Sequence, residues 1–379
     1  MKSFVAIVIW VFINAFLTGC GAKLPSKYVM ATLNGYHTHA ELGPDPMPTL
    51  ETRVSTDGGR TWAAPKTPKT CVLPVQPHSC SLTEIRTWIE PGLASNNEKY
   101  VLVFFHNDYD ESLHAFMTRL KRVVSTDGEI WTNSRISVQV PWQPDELGFY
   151  AKPAVAYDYQ TRRWVVAYRT AGGNLRVERL ADQATDADLP SNDPLPRVHV
   201  DAGTHIAMAS HDGKFYIVYR EVGFVSFVSI ESRSSSSEGD GASVRDFAIA
   251  RDGSFIPSER SPALFSGIGG ELILVVRNPD PSDPSQYSLI STYRLGEFRI
   301  WDPVAQIRTR KLNADSSPTA AGVFSEFLVA DGLAEPASED EHTFNTLAFF
   351  KRDQGFGSIA PVAVPTLVRN GAATLVFGN

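Results

Sequence analysis

Two short stretches decide how this sequence is read: "STDGGRTW", residues 55–62, and "STDGEIW", residues 125–131. The first follows "TLETRV" and the second follows "RLKRVV", and the β-branched and apolar residues of both segments mark strands. In each stretch a short carboxylate, Asp57 or Asp127, can accept backbone N–H groups of its own turn. Glycine supplies the positive φ of a tight reversal, and the terminal Trp can pack on the adjoining sheet. A chain that writes one turn twice after strands is built from a repeated unit, so the repeat should extend beyond these two copies.

It does, as hairpins. "EPGLASNNEKYVLVFFHN" starts at Glu90, "KPAVAYDYQTRRWVVAYR" at Lys152 and "HIAMASHDGKFYIVYR" at His205. "SPALFSGIGGELILVVRN" starts at Ser261, "SPTAAGVFSEFLVADG" at Ser317 and "VPTLVRNGAATLVFGN" at Val364. Each reads as a strand, a turn of Gly, Asn, Asp or Ser, and a second strand rich in Val, Ile, Tyr and Phe. The starts lie 47 to 62 residues apart, the size of one four-stranded propeller blade. Further strands follow in "HAFMTRLKRVV", "VRDFAIARDGSF" and "FNTLAFFKRDQGFG". Helical periodicity of useful length is confined to the first residues, so the chain is expected to be all-β. With 27 Gly and 25 Pro it has ample turn residues, and its net charge of −7 argues against nucleic acid as a partner.

"STDGGRTW" fits S-x-D-x-G-x-T-W and resembles the Asp box of sialidase-like β-propellers, with Ser55, Asp57, Gly59, Thr61 and Trp62 all matching. The second copy keeps Ser125, Asp127 and Trp131 but is one residue short; "ARDGSF" at Asp252 and "KRDQGFG" at Asp353 are looser echoes. The resemblance implies that these boxes join the third and fourth strands of a blade and are structural, so Asp57 and Asp127 are not catalytic acids. The last hairpin stops without third and fourth strands, while the N-terminal "KYVMATLNGY" and "TLETRVSTDGGRTW" lack a first strand. Closure through one composite blade resolves both and removes exposed sheet edges. The expectation is a six-bladed propeller of four-stranded antiparallel blades, closed by pairing of N- and C-terminal strands; seven blades is the other count. Whether residues 28–36 or 374–377 supply the second strand of the composite blade stays open. Polar loops such as "NPDPSDPSQ" and "EPASEDEH" are read as rim, outside the core.

At the N-terminus, Met1 and Lys2 precede the apolar run "FVAIVIWVFINAF" and then "LTGC", residues 17–20. A positive start, a short apolar core and small residues describe an export signal. The run falls short of the about 20 residues that span a bilayer. "LTGC" resembles the bacterial lipobox, and the resemblance implies a diacylglycerol on Cys20. Residues 1–19 are then a lipoprotein signal peptide, 20–27 a lipidated tether and 28–379 the propeller. The protein is expected to be exported and membrane-anchored, at the outer membrane or cell surface, since Gly21 stands where Asp marks inner-membrane retention. Cys71 and Cys80 are the remaining cysteines, and in an exported chain they read as one disulfide, with free thiols as the alternative.

In a propeller, residues that start first strands and end second strands ring the central funnel. The starts here carry Glu90, Lys152, His205, Ser261 and Ser317; the ends carry His106, Arg169, Arg220, Arg277 and Asp331. Sialidases hold a sugar carboxylate with three arginines, because a planar fork makes two-pronged charged hydrogen bonds. Arg169, Arg220 and Arg277 resemble that set, with Lys152 and His205 as further substrate contacts. Glu90 and Tyr150 resemble the Glu and Tyr of the nucleophile pair, and Asp45 is the candidate acid by position alone. The family's R-I-P tripeptide is absent, and the same arginines serve equally as structural ties. Two readings follow: a sialidase-like glycoside hydrolase acting on an acidic sugar, or a non-catalytic propeller that binds glycan or a protein partner at the envelope. A third uses two carboxylates, Glu90 and Glu221. His37 and His39 read as surface loop, and Ser210 and His211 lie in a hairpin turn without a nucleophile elbow. No metal or cofactor is expected.

Overall fold

The structure, a computed structural model, describes residues 27–34, 48–71, 82–87, 89, 91–96, 98–110, 115–140, 152–159, 162–170, 173–181, 198, 200, 204–231, 244–266, 270–310, 317–323, 326–338, 341–351, 355–358 and 374–378. The strands are, in chain order, β1 (Lys27–Asn34), β2 (Thr49–Ser55), β3 (Lys69–Cys71) and β4 (Leu82–Glu84). Then come β5 (Gly92–Ser95), β6 (Tyr100–Asp110), β7 (Ala115–Ser125), β8 (Thr132–Val140), β9 (Ala154–Asp158), β10 (Arg163–Arg169) and β11 (Leu175–Ala181). Next are β12 (Ala207–His211), β13 (Lys214–Glu221), β14 (Phe224–Glu231), β15 (Val244–Phe247), β16 (Ile249–Ala250), β17 (Ala263–Ser266), β18 (Leu272–Pro279), β19 (Tyr287–Leu295) and β20 (Ile300–Arg310). The last are β21 (Pro318–Val323), β22 (Glu326–Ser338), β23 (Glu341–Lys351), β24 (Gly355–Ser358) and β25 (Thr374–Gly378). A 3₁₀ turn at Glu297–Arg299 interrupts an otherwise all-β set among the described residues.

The strands assort into antiparallel sheets that follow the chain: β5-β6-β7-β8, β9-β10-β11, β12-β13-β14-β15, β17-β18-β19-β20 and β21-β22-β23-β24. A sixth joins the two ends of the chain in the order β2-β1-β25, and β3 and β4 pair as a separate two-stranded ribbon. In five sheets the first strand belongs to a hairpin picked out in the sequence; in the sixth, β25 holds that place and β1 is the second strand. This decides the alternative left open by the sequence. The partner arm of the C-terminal hairpin, around Pro365, lies outside the described residues. The first strands touch one another in the succession β5, β9, β12, β17, β21, β25 and back to β5.

Second strands are apolar without a break, "WVVAY" in β10 or "LILVV" in β18, because both faces of each sheet are covered. Trp164, Val166 and Tyr168 of β10 pack towards β5–β7, while Val165 and Ala167 pack towards β12–β14. In β18, Leu272, Leu274 and Val276 face β12–β14, and Ile273 and Val275 face β21–β22. The two-residue period of a strand thus fills two cores at once. Each large apolar side chain sealed there contributes about 1.5–3 kcal/mol. Close approach also needs a small residue at Gly92, where a Cβ would stand 2.5 Å from the Pro153 carbonyl of the next sheet.

The Asp boxes take the local form expected. Asp57 Oδ1 accepts the N–H groups of Arg60 and Thr61 at 3.0 and 2.9 Å and the Ser55 hydroxyl at 2.8 Å. Asp127 Oδ1 accepts from Glu129 and Ile130, both at 2.8 Å. Gly58, Gly59 and Gly128 have φ of 78°, 85° and 76°. The first box leads from β2 into residues 63–66, which pair beside it; the second leads from β7 into β8. The Asp252 echo behaves differently. Here the outermost strand, β15, gives way to an excursion in which β16 pairs in parallel with β20 of the next sheet, and residues 256–258 then return to the start of β14. Its turn therefore links no third strand to a fourth. Asp353 lies outside the described residues.

"EPASEDEH", read as loop, instead lies largely within the β22–β23 ribbon, whose pairing continues through Glu335↔Thr343 and Pro336↔His342. Register shifts between Asp331 and Ala334 and between Pro336 and Ser338 let the ladder accommodate the proline. The backbone of Cys71 ends β3. Cys80, Cys20 and the rest of residues 1–26 lie outside the described residues, as do Glu90, Tyr150, Asp45, His37 and His39.

Candidate functional site

Two cavities lie end to end along the first strands. The smaller, 70 Å³, is lined by the starts of those strands, including Lys152, His205, Ser261 and Ser317. Prolines at these starts cost no ladder bond, because Pro318 is the first residue of β21 and Pro153 and Pro262 stand just before β9 and β17. The Lys152 N–H donates to His205 Nδ1 at 3.4 Å, and the His205 N–H donates to the Ser261 hydroxyl at 2.8 Å. These polar bonds tie three consecutive sheets together at the narrow end.

Leu93, Val155, Met208, Leu264 and Ala320 line both cavities and form an apolar waist between them. Beyond it the strands open into a cavity of 460 Å³, lined by residues from β5, β9, β12, β17, β21 and β25. Two hairpin turns contribute a cluster of polar and aromatic residues to its wall, beside Phe265 and Phe377. At the end of β9 stand Tyr157, Asp158 and Tyr159; at the end of β12 stand Ser210, His211 and Asp212. Asp212 and Gly213, with φ of 48° and 70°, form a two-residue reversal of the kind an Asp-Gly pair favours.

The rings are mutually braced. Tyr157 lies 4.8 Å from Trp164, and Tyr159 meets Tyr157 edge-on at 5.0 Å and 87°. Tyr159 nonetheless leaves 59% of its surface in solvent. Partial burial, and then Tyr157, raise the Tyr159 hydroxyl above its usual pKa. No Lys or Arg occurs among the described residues lining this cavity.

The three arginines singled out from sequence line neither cavity among the described residues. Arg169 Nε donates to the Val200 carbonyl at 2.7 Å and Arg220 Nε to the Ser258 carbonyl at 3.1 Å. These two acceptors are equivalent. Val200 pairs with Gly173 before β11, and Ser258 pairs with Gly223 before β14. Each arginine therefore fastens the segment that leaves its own sheet for the next. Arg277 Nε donates to the Ser288 hydroxyl at 3.2 Å, and the residue is wholly sealed from solvent. Glu221 Oε2 accepts from the Ser226 hydroxyl at 2.8 Å, and His106 packs edge-on against Phe104.

Lys152, His205, Ser261 and Ser317, grouped in the sequence reading as strand starts, line the smaller cavity, at the narrow end. That reading passed over Tyr157, Asp158, Tyr159 and Asp212. The available signal was an aromatic or acidic residue flanking the first turn of a hairpin, in "YDYQ" and "SHDG".

No family model matches the sequence, and no curated protein matches it. Among solved structures, a mutant sialidase of Trypanosoma rangeli overlaps 81% of this chain and 50% of its own, at 11% identity and a TM-score of 0.45. The chain thus spans about half the length of that enzyme. The α-L-arabinofuranosidase Arb93A of Fusarium graminearum overlaps 90% and 94% at 10% identity and a TM-score of 0.47. The fungal lectin of Aleuria aurantia, a six-bladed β-propeller that recognises fucose, overlaps 84% and 90% at 11% identity and a TM-score of 0.46. At these identities and overlaps the likenesses assign neither a family nor an activity to this chain.

Proposed function

We propose that the chain is a six-bladed β-propeller of four-stranded blades closed through β25, and that it binds carbohydrate in its wide central cavity at the cell envelope. Closure is supported by the succession of first strands that returns to its start and by the pairing of β1 with both β2 and β25. The four-stranded count is supported where residues 63–66 pair with β2 and where Val198 and Val200 bond to Leu175 and Gly173 at the start of β11. The envelope location rests on the export signal and the lipobox resemblance.

The observation that carries the ligand class is the wall of the 460 Å³ cavity, where braced tyrosine rings stand beside hydroxyl and carboxylate groups. A largely apolar concavity of about 300–1,000 Å³ with a few polar groups is the usual form of a small-molecule site. Sugars present both an apolar C–H face and a fringe of hydroxyls, which such a wall complements. A sialidase-type grip on an acidic sugar has less support, because the Nε donors of Arg169, Arg220 and Arg277 are directed to the protein's own acceptors.

The test is a glycan array read beside turnover assays on the full chain. Retention of a discrete set of glycans, without fluorophore release from a sialoside, is expected. Absence of retention on any glycan, or release of the fluorophore from the sialoside, overturns the reading.

A further inference from the structure

We infer that an apolar face at the junction of the β12–β15 and β17–β20 sheets is a docking surface for a second copy of this chain. Eight large apolar side chains are exposed among the described residues, and six of them gather here: Val222, Phe224, Phe247, Ile249, Phe255 and Phe298. The rings of Phe224 and Phe247 lie 5.9 and 5.2 Å from that of Phe255, and Ile249 pairs with Phe255 across the excursion. Ile249 also pairs with Ile300 of β20, and Arg299 reaches Asp246 at 3.6 Å, which brings the Phe298 turn to the same face. Exposed apolar residues are ordinary when scattered, whereas a contiguous group marks a contact surface.

The backbone holds two of these side chains outward against its own preference. Val222 and Gly223, with φ of 49° and 85°, form the two-residue turn between β13 and β14, whose paired ends are Glu221 and Phe224. Such a turn favours Asn-Gly, because both residues are left-handed. A β-branched valine suits it badly, and Val222 leaves 78% of its surface in solvent. Phe298 repeats the conflict: its φ is 57°, that of Arg299 beside it is 62°, and the ring is 90% exposed. Residues that break a local rule without serving the core point to contact with something outside.

Charge, shape and size select the occupant. Residues 244–255 and 294–302 carry four arginines and four carboxylates, with the ion pairs Arg299–Asp246 and Arg251–Asp302 among them. A face without net charge gives an anionic bilayer or a nucleic acid little to hold. Two identical faces of this kind can meet about a two-fold axis without repulsion. Nor is there a slot for a peptide. The six residues line neither cavity described above, and β16 is already paired on both sides, with β20 and with Phe255. At about 150–250 Å² for a full aromatic side chain, the six leave roughly 500 Å² of apolar surface open. A standard interface takes about 800 Å² from each partner, a little over half of it apolar.

Sedimentation velocity of the full chain in non-ionic detergent, from about 1 to about 100 µM, reads the association, and a dimer is expected within this range. Phe255→Asp, which sets a carboxylate against its own copy, should leave the chain monomeric throughout. Val222→Asn and Phe298→Asn suit their left-handed backbone better than the residues they replace. Together they should keep or raise the melting temperature at about 1 µM, yet weaken dimerisation about tenfold or more. A chain that stays monomeric up to about 100 µM overturns the inference, as does a dimer that the Val222→Asn, Phe298→Asn chain forms equally well. Retention of a monomeric chain on phosphatidylcholine liposomes, lost in the same variant, would assign the face to a bilayer and overturn it too. None of these outcomes depends on whether the chain retains glycans.

Discussion

Asp57 places both carboxylate oxygens within its own turn: Oδ1 accepts from Ser55, Arg60 and Thr61, and Oδ2 accepts the Thr61 hydroxyl at 2.7 Å. Burial works to raise its pKa, but these hydrogen bonds outweigh it and lower the pKa from 3.8 to about 2. A carboxylate whose folded pKa lies below its unfolded one stabilises the fold above the unfolded value. That contribution disappears as pH falls from about 4 towards about 2. Asp57→Asn should therefore lower the urea midpoint at pH 7 and lose less than the parent over that acid window. Parallel curves for parent and variant would contradict the role given to the carboxylate. This part of the molecule was legible because every donor lies within four residues of its acceptor. The arginines were not legible in the same way. "AYR" and "VYR" announce a repeated position, but what the guanidinium meets is Val200 or Ser258, more than thirty residues away along the chain.

At the scale of elements, the two Asp boxes differ in where their tryptophans go. Trp62 donates to the Gly59 carbonyl of its own turn at 3.2 Å. Trp131, in the copy one residue shorter, donates to the Thr52 hydroxyl of the neighbouring sheet at 3.0 Å. Thr52 is wholly buried, and beside the same turn Gly128 packs so tightly on Val29 that a Cβ would stand 2.5 Å from its methyl group. The shorter box is thus a joint between sheets, while the full box is mainly a turn. Trp131→Phe keeps most of the packing and removes one partly buried hydrogen bond, so it should cost about 1–2 kcal/mol in urea unfolding. Trp62→Phe, losing only a bond within its turn, should cost less. Equal costs would show that the contact between sheets contributes nothing of its own. Hairpins and their turn residues were readable because strand period and Gly, Asn or Asp punctuation are local. The excursion of β16 to a strand of the next sheet was not, since a two-residue parallel pairing leaves no mark in composition.

At the scale of the molecule, the missing first strand at one end and the surplus strand at the other were visible in the sequence, and β25 joins them. It pairs with β1 from Lys27↔Gly378 to Ala31↔Thr374, and Phe377 meets Tyr28 edge-on at 5.4 Å. It also stands between β21 and β5, so its removal opens the succession of first strands and bares an edge of β1 at one stroke. The end of the wide cavity is affected too, because Val376 and Phe377 form part of its wall. What the sequence did not reveal is which end of the strands would hold the larger space, since that depends on side-chain volumes summed over six separate segments. Deleting residues 374–379 should lower stability by more than about 4 kcal/mol, beyond the range of most single substitutions, and broaden the thermal transition. A synthetic peptide, TLVFGN, offered in trans should restore part of the loss by adding a strand to the bared edge of β1. A truncated chain that melts with the cooperativity and midpoint of the parent would show that the fold does not depend on closure by its C-terminal strand.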